Sequence, residues 1–196
     1  MASEVEVANL AAVRIGTASR ITSLDDDRTV ARTFKAVFAI ERRAAIRDGS
    51  WNFAARRADL AAEVIAEGVP YPWAYSFPLP AESLRLIEVL NLTSRDDYQL
   101  EGSSILCNSE GPLYVRYLVD VPNMAAWDAS AVEAFALRLA WKCGRKVAGE
   151  NFDSRACWEE YLQAIGRAKT VDALENPSIA PDDGSWIDAR HGNWRQ

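Results

Sequence analysis

His191 is the only histidine in the sequence. A multi-histidine metal centre is therefore impossible, and a zinc site would have to lean on Cys107, Cys143 and Cys157, which are widely spaced and form no CxxC pair. Ser185, Asp188 and His191 supply the residue types of a nucleophilic triad. Such near neighbours in an aperiodic segment have no rigid scaffold to fix nucleophile, base and orienting acid. No GxGxxG and no GxxxxGK[ST] occurs, so a glycine-rich phosphate cradle has no support.

Carboxylates are next. Glycoside hydrolysis needs two of them facing each other across a cleft, one with its pKa raised by burial. Asp25-Asp26-Asp27 reads as a helix start and Asp182-Asp183 lies in a polar tail. Glu159-Glu160 sits on a helix whose neighbouring positions face solvent by pattern. All three runs read as solvated charge. Arg42-Arg43 and Arg56-Arg57 are expected to form salt bridges rather than hold phosphate. A cell-wall glycan hydrolase remains the alternative function, with Glu101 and Glu110, flanking a hairpin, as its first candidates. A small-molecule regulator using the aromatic segment 71–77 is a third reading, although Pro-interleaved aromatics usually fix a loop against a core.

The bulk numbers bound the rest. A length of 196 residues fits one domain, or one domain with an extended tail, and 49% hydrophobic with 26% charged residues suits a real core. The net charge of −6 argues against tight binding of a nucleic-acid backbone, which needs clustered Lys and Arg. No apolar run approaches the ~20 residues that span a bilayer, so no membrane partner is expected. Glu4 and Glu6 stand where an export signal carries positive charge. The three cysteines are expected as reduced, partly buried thiols. Seven Trp is high for this length and hints at a contact surface.

Periodicity places the elements that must carry these residues. Val7, Leu10, Ala11 and Ile15 mark a first amphipathic helix. Ser23-Leu24-Asp25-Asp26 has the form of a capping box opening a long second helix that carries Val30, Phe34, Val37, Phe38 and Ala45 and closes at Asp48-Gly49. Trp51-Asn52-Phe53-Ala54 reads as an aromatic corner into a third helix with Phe53, Leu60, Ala61 and Val64. Four prolines and four aromatics between Gly68 and Pro80 make an extended connection. Strand-like alternation follows over 84–90, 98–107 and 113–119. A nearly all-apolar helix after Ser130 is either central in the core or shared with a neighbouring subunit, and a last helix carries Trp158, Tyr161, Leu162, Ile165 and Ala168. The expected helices are 4–15, 24–48, 52–66, 130–147 and 152–171, with a β region at 82–121. The predicted fold is α+β: an antiparallel helical bundle with a small antiparallel sheet or hairpin between the third and fourth helices. One domain covers 1–171. The tail 172–196 is extended, and Trp186 and Trp194 in it suggest that it docks onto a partner.

The order of these features resembles a known family. The run includes Leu10 with Arg14-Ile15-Gly16, then Ile21-Thr22-Ser23-Leu24-Asp25-Asp26, Trp51-Asn52-Phe53-Ala54 and Tyr71-Pro72-Trp73-Ala74-Tyr75. It continues through Leu79-Pro80, the strand from Leu84-Arg85, the Tyr117 strand and the Leu/Ala-rich helix. It is similar to the tail tubular protein A and head-to-tail adaptor (connector, gatekeeper) family of tailed bacteriophages over nearly the full chain. Where that family often has Asp after the proline preceding the first strand, this chain reads Pro80-Ala81-Glu82. The resemblance implies a structural virion protein and no enzyme, with no cofactor, made in the bacterial host cytoplasm and placed at the head–tail junction. It implies a homo-oligomeric ring, typically of twelve subunits, whose partners are the portal protein and the nozzle or next tail protein. Genomic DNA would pass through the channel without sequence-specific binding. The apolar helix would then pack between subunits. The segment 183–190 also looks like the C-terminal part of such proteins, so Trp186, Ile187, Arg190 and Trp194 become candidate portal-binding residues.

Overall fold

The structure is a computed structural model and describes residues 2–63, 68–69, 71–92 and 97–175. Among them the order is α1 (Glu4–Ile15), α2 (Thr29–Gly49), β1 (Ala55–Leu60), β2 (Tyr75–Pro78), β3 (Ser83–Val89), β4 (Tyr98–Glu101), β5 (Ser104–Cys107), β6 (Leu113–Val119), α3 (Ala129–Ala148) and α4 (Ser154–Glu175).

The expected fold needs correction. Among the described residues there are four helices, not five, and the strands form two antiparallel three-stranded sheets, β1–β6–β3 and β2–β5–β4, rather than one small sheet or hairpin between the third and fourth helices. All six strands lie between α2 and α3. The helix expected at 52–66 is instead a 3-10 turn at Asn52–Ala54 followed by β1. Every residue of β1 pairs with β6, from Ala55 opposite Leu118 to Leu60 opposite Leu113. Tertiary pairing outweighs the modest helix preference of Ala-Arg-Arg-Ala-Asp-Leu. β2 lies in the stretch expected to be a plain connection, and it pairs with β5 through Phe77, which is fully buried.

The second correction concerns Ser23-Leu24-Asp25-Asp26. These residues cap no helix. Asp26 Oδ2 accepts from the backbone N–H groups of Thr22 and Ser23 at 3.1 and 3.2 Å and from the Thr22 hydroxyl at 3.0 Å, closing a turn upstream of α2. α2 begins at Thr29, after Arg28, whose side chain makes no capping bond. α1 carries the real capping box: Ser3 Oγ accepts from the Glu6 N–H at 3.2 Å and Glu6 Oε2 accepts from the Ser3 N–H at 2.7 Å.

Alternating side chains on β6 divide the core. Leu113, Val115, Tyr117 and Val119 face the second sheet, where Phe77, Ile105 and Cys107 close a small apolar sandwich. Leu118 points the other way, into the core of the four helices. α3 runs through the centre of that core, packed by α1, α2 and α4. Its Ala131, Ala134, Ala136, Ala140 and Gly144 are buried and small, so the neighbouring helices approach closely. Of the two placements left open for this helix, the structure shows the central one. A Cβ at Gly144 would stand 2.2 Å from a Phe152 ring carbon, so the Phe152 ring needs that position bare.

Candidate interaction surfaces

The four tail residues proposed as partner-binding, Trp186, Ile187, Arg190 and Trp194, lie outside the described residues, as do Ser185, Asp188, His191 and Asp182-Asp183. The remaining chemistry-bearing residues can be placed. Asp25 pairs with Lys35 at 2.5 Å and Asp27 with Arg32 at 3.1 Å, both on the surface. Glu160 accepts a two-bond fork from Arg14, 2.6 Å on each side, and Glu159 takes Arg155 one helical turn back at 3.0 Å. Glu101 and Glu110 are both exposed, Glu101 beside the β4–β5 turn and Glu110 accepting from the Tyr75 hydroxyl at 3.3 Å. Neither has the apolar enclosure that raises a catalytic carboxyl. No group of three or more metal-ligating side chains is found among the described residues.

Cys107, Cys143 and Cys157 are free and buried. Burial pushes the Cys143 thiol up to about 12, far from a reactive thiolate. The aromatic segment splits: Phe77 is core, Tyr75 is half-buried and Tyr71 stands 97% exposed.

The largest polar constellation was not legible in the sequence. Arg138, on α3, donates Nε to Glu41 of α2 at 2.8 Å and Nη1 to Asp48 at 2.6 Å and to the Tyr161 hydroxyl at 3.1 Å. Lys142 reaches the other Glu41 oxygen at 3.3 Å. The guanidinium lies 5.4 Å from the Tyr161 ring centroid and 6.0 Å from that of Trp158. Burial alone would lower the Arg138 pKa, but the Tyr161 hydroxyl and the Glu41 and Asp48 charges outweigh it and raise it. Burial and the bond to Asp48 raise that of Tyr161. Every member is satisfied within the helical layer, so the cluster ties α2, α3 and α4 together. Arg42 is similarly engaged, donating two 2.8 Å bonds to Asp120, which follows β6 on the way to α3. Arg42 is thus the salt bridge expected of it, whereas Arg56 and Arg57 form no ion pair among the described residues.

An open apolar feature lies on α1. Val7, Ala8, Ala11, Ala12 and Ile15 are buried against the core, yet Leu10 is 50% and Val13 75% exposed on the other side. These two flank a hollow of about 660 Å³ whose wall also includes Ala2, Asn9, Ala18 and Val132. Asn9 builds its floor, clamping Ile21 through 2.9 Å bonds to both the N–H and the carbonyl. Among the described residues nothing covers Leu10 and Val13 on this second side of α1.

Compared with known proteins, the chain matches no family model and no curated sequence.

Proposed function

We propose that this chain is a subunit of the adaptor ring that joins the portal of a phage capsid to the tail and extends the DNA channel. Two lines support the reading. The first is the ordered resemblance from Leu10 to the Leu/Ala-rich α3. The second, which carries the structural side, is the exposed Leu10–Val13 stripe beside its 660 Å³ hollow. Subunits of a closed ring meet through two different patches, each needing an apolar centre, and the stripe has the composition of one such centre. Its proposed occupant is the neighbouring subunit. The resemblance implies a ring, typically of twelve copies, with portal and the nozzle or next tail protein as partners, and the C-terminal tail with Trp186 and Trp194 is the segment proposed to meet portal.

The glycan-hydrolase alternative draws no support from Glu101 or Glu110, because both are solvated. Negative-stain images of the purified protein, alone and mixed with portal, test the proposal. Rings, or portals capped by extra density, are expected. Protein that neither closes into rings nor caps portal sinks the adaptor reading, and cleavage of purified cell-wall glycan would replace it with the hydrolase.

A further inference from the structure

Strand β1 is an edge of its sheet, and among the described residues no strand lies on its outer side. Alternate residues of such a strand turn N–H and C=O groups outward, where another strand can pair with them. The other edges differ. β3 carries register shifts at Ser83/Arg85 and Leu86/Glu88, irregularities of the kind that spoil an edge for pairing. β2 is already met on its outer side by Glu63, whose N–H donates to the Ser76 carbonyl at 2.8 Å. β4 is only four residues long. β1 has six residues, no proline and an unbroken register against β6.

One face of this edge is balanced in charge but incompletely paired. Glu88 and Arg116 are register partners on β3 and β6, joined at 3.3 Å, and Arg57 is the register partner of Arg116 on β1. The row across the sheet therefore reads carboxylate, guanidinium, guanidinium, and there it stops. Asp59 lies two positions from Arg57 on the same face. Arg57 and Asp59 are both exposed, and neither side chain makes a hydrogen bond or ion pair among the described residues. With Glu88 and Arg116 the face holds two charges of each sign, so it suits neither a polyanion nor a polycation. Its spacing suits a copy of itself.

We propose that β1 pairs antiparallel with β1 of a second copy about a two-fold axis at Ala58, joining two three-stranded sheets into one. In that register Arg57 of each chain stands opposite Asp59 of the other, so two opposite-charge pairs form at directly facing positions. The row from Glu88 through Arg116 and Arg57 then ends on a carboxylate, Asp59 of the second copy. Ala58 faces Ala58, which leaves no bulk at the axis, and Arg56 faces Leu60 on the opposite side of the sheet. Facing residues must share a face, so the register changes only in steps of two. The next step either way sets Arg57 against Arg57 or Asp59 against Asp59, and charge selects the register with Ala58 on the axis. The pair goes beyond the proposed ring and does not rest on it: none of the residues around the α1 hollow belongs to β1.

Sedimentation equilibrium of the full chain over a concentration series tests it. The mass should rise from the 21.7 kDa monomer toward twice that value, with a Kd of roughly 10–100 µM, as befits a small contact. Arg57→Glu and Asp59→Lys each place like charges at both facing positions, and each alone should weaken pairing by about tenfold or more. Mixed in equal amounts, the two variants complement each other at both positions and should pair within about threefold of wild type. Both should melt close to wild type, because the side chains they replace touch no partner in the monomer. Arg155→Glu, the same charge change at the start of α4, should leave pairing unchanged. Val13→Asp, which removes the proposed ring contact, should also pair like wild type, so failure of the ring and failure of the pair are read separately. A chain that stays monomeric at every concentration, or Arg57→Glu and Asp59→Lys chains that each pair as well as wild type, overturns the proposal. Pairing lost in each variant and not restored on mixing overturns the antiparallel register.

Discussion

The Trp51 indole lies across Gly49, so closely that a Cβ on that glycine would stand 2.0 Å from ring carbon Cε2. The ring is 2% exposed, and its Nε1 donates to the Ala45 carbonyl at 3.1 Å. From it an aromatic chain runs through Phe53, Trp127, Phe135 and Phe38, with successive centroids 6.1, 4.9, 5.4 and 5.1 Å apart. The corner therefore joins the end of α2 to β1 and α3, rather than to a further helix. Trp51→Ala should cost about 3–5 kcal/mol, or roughly 6–20 °C in melting temperature for a chain of this size. Gly49→Ala should destabilise in the same direction, because the ring must leave its seat. Thermal melts by circular dichroism read both, and a melt for Trp51→Ala within 2 °C of wild type would contradict this account.

The Arg138 cluster makes a second, distinct prediction. The Glu41 side chain is 4% exposed and, among the described residues, keeps only Lys142 at 3.3 Å without Arg138. Arg138→Met should therefore cost about 2–4 kcal/mol, chiefly by leaving a buried carboxylate under-compensated. Removing the carboxylate as well, in Glu41→Gln with Arg138→Met, should cost less than the sum of the two single changes by about 1 kcal/mol or more. Urea unfolding of the four proteins in the cycle measures this. Strict additivity would mean the pair is energetically independent.

Helix α3 begins with a titratable cap. Asp128 Oδ1 accepts from the Ser130 N–H at 2.7 Å and from the Ser130 hydroxyl. The hydroxyl bond first, then the backbone bonds, hold its carboxyl below the usual range. A folded pKa below the unfolded one gives stability that is complete above the unfolded value of about 3.9. That stability is lost as pH falls through the lower, folded value. Asp128→Ala should cost about 1 kcal/mol at pH 7, with the gap to wild type narrowing as pH drops below about 4. Urea melts at pH 7 and at successive values below 4 test the trend; a gap that widens on acidification would refute it.

How much of this was legible follows from where the decisive force lies. α1, α3 and α4 declare themselves because a helical stripe such as Val7, Ala11, Ile15 records contacts made by the helix itself. β1 does not. Ala55–Leu60 has one fully buried side chain, Leu60, and owes its strand geometry to β6, more than fifty residues away. β3 misled in a subtler way. Arg85, Ile87 and Val89 were expected to alternate with Leu86, Glu88 and Leu90, but register shifts at Ser83/Arg85 and Leu86/Glu88 break the period. They turn Leu84 and Ile87 to the helical core and place Arg85 at the end of α2. The juxtaposition of Arg57 and Arg116 was hidden for the same reason: they become neighbours only through the β1–β6 register. Ser23-Leu24-Asp25-Asp26 failed as a helix start because its acid bonds backward to Thr22 and Ser23.

The Leu10–Val13 stripe separates folding from assembly. Val13 is 75% exposed among the described residues, whereas Val7 and Ala11, on the buried side of α1, are fully enclosed. Val13→Asp should therefore melt within about 1–2 °C of wild type, as surface changes commonly do. Placed at the centre of a subunit contact, the same carboxylate would be desolvated without a partner, at a cost of several kcal/mol per interface. A closed ring repeats that cost at every joint, so Val13→Asp should yield no rings and no capped portals in negative stain. Val13→Ile, which keeps the apolar surface, should assemble like wild type. Val7→Asp is the opposite control: it should unfold the chain, because α1 could no longer lie on α3. Rings formed by Val13→Asp as readily as by wild type would remove the α1 stripe from the subunit contact while leaving the fold described here intact.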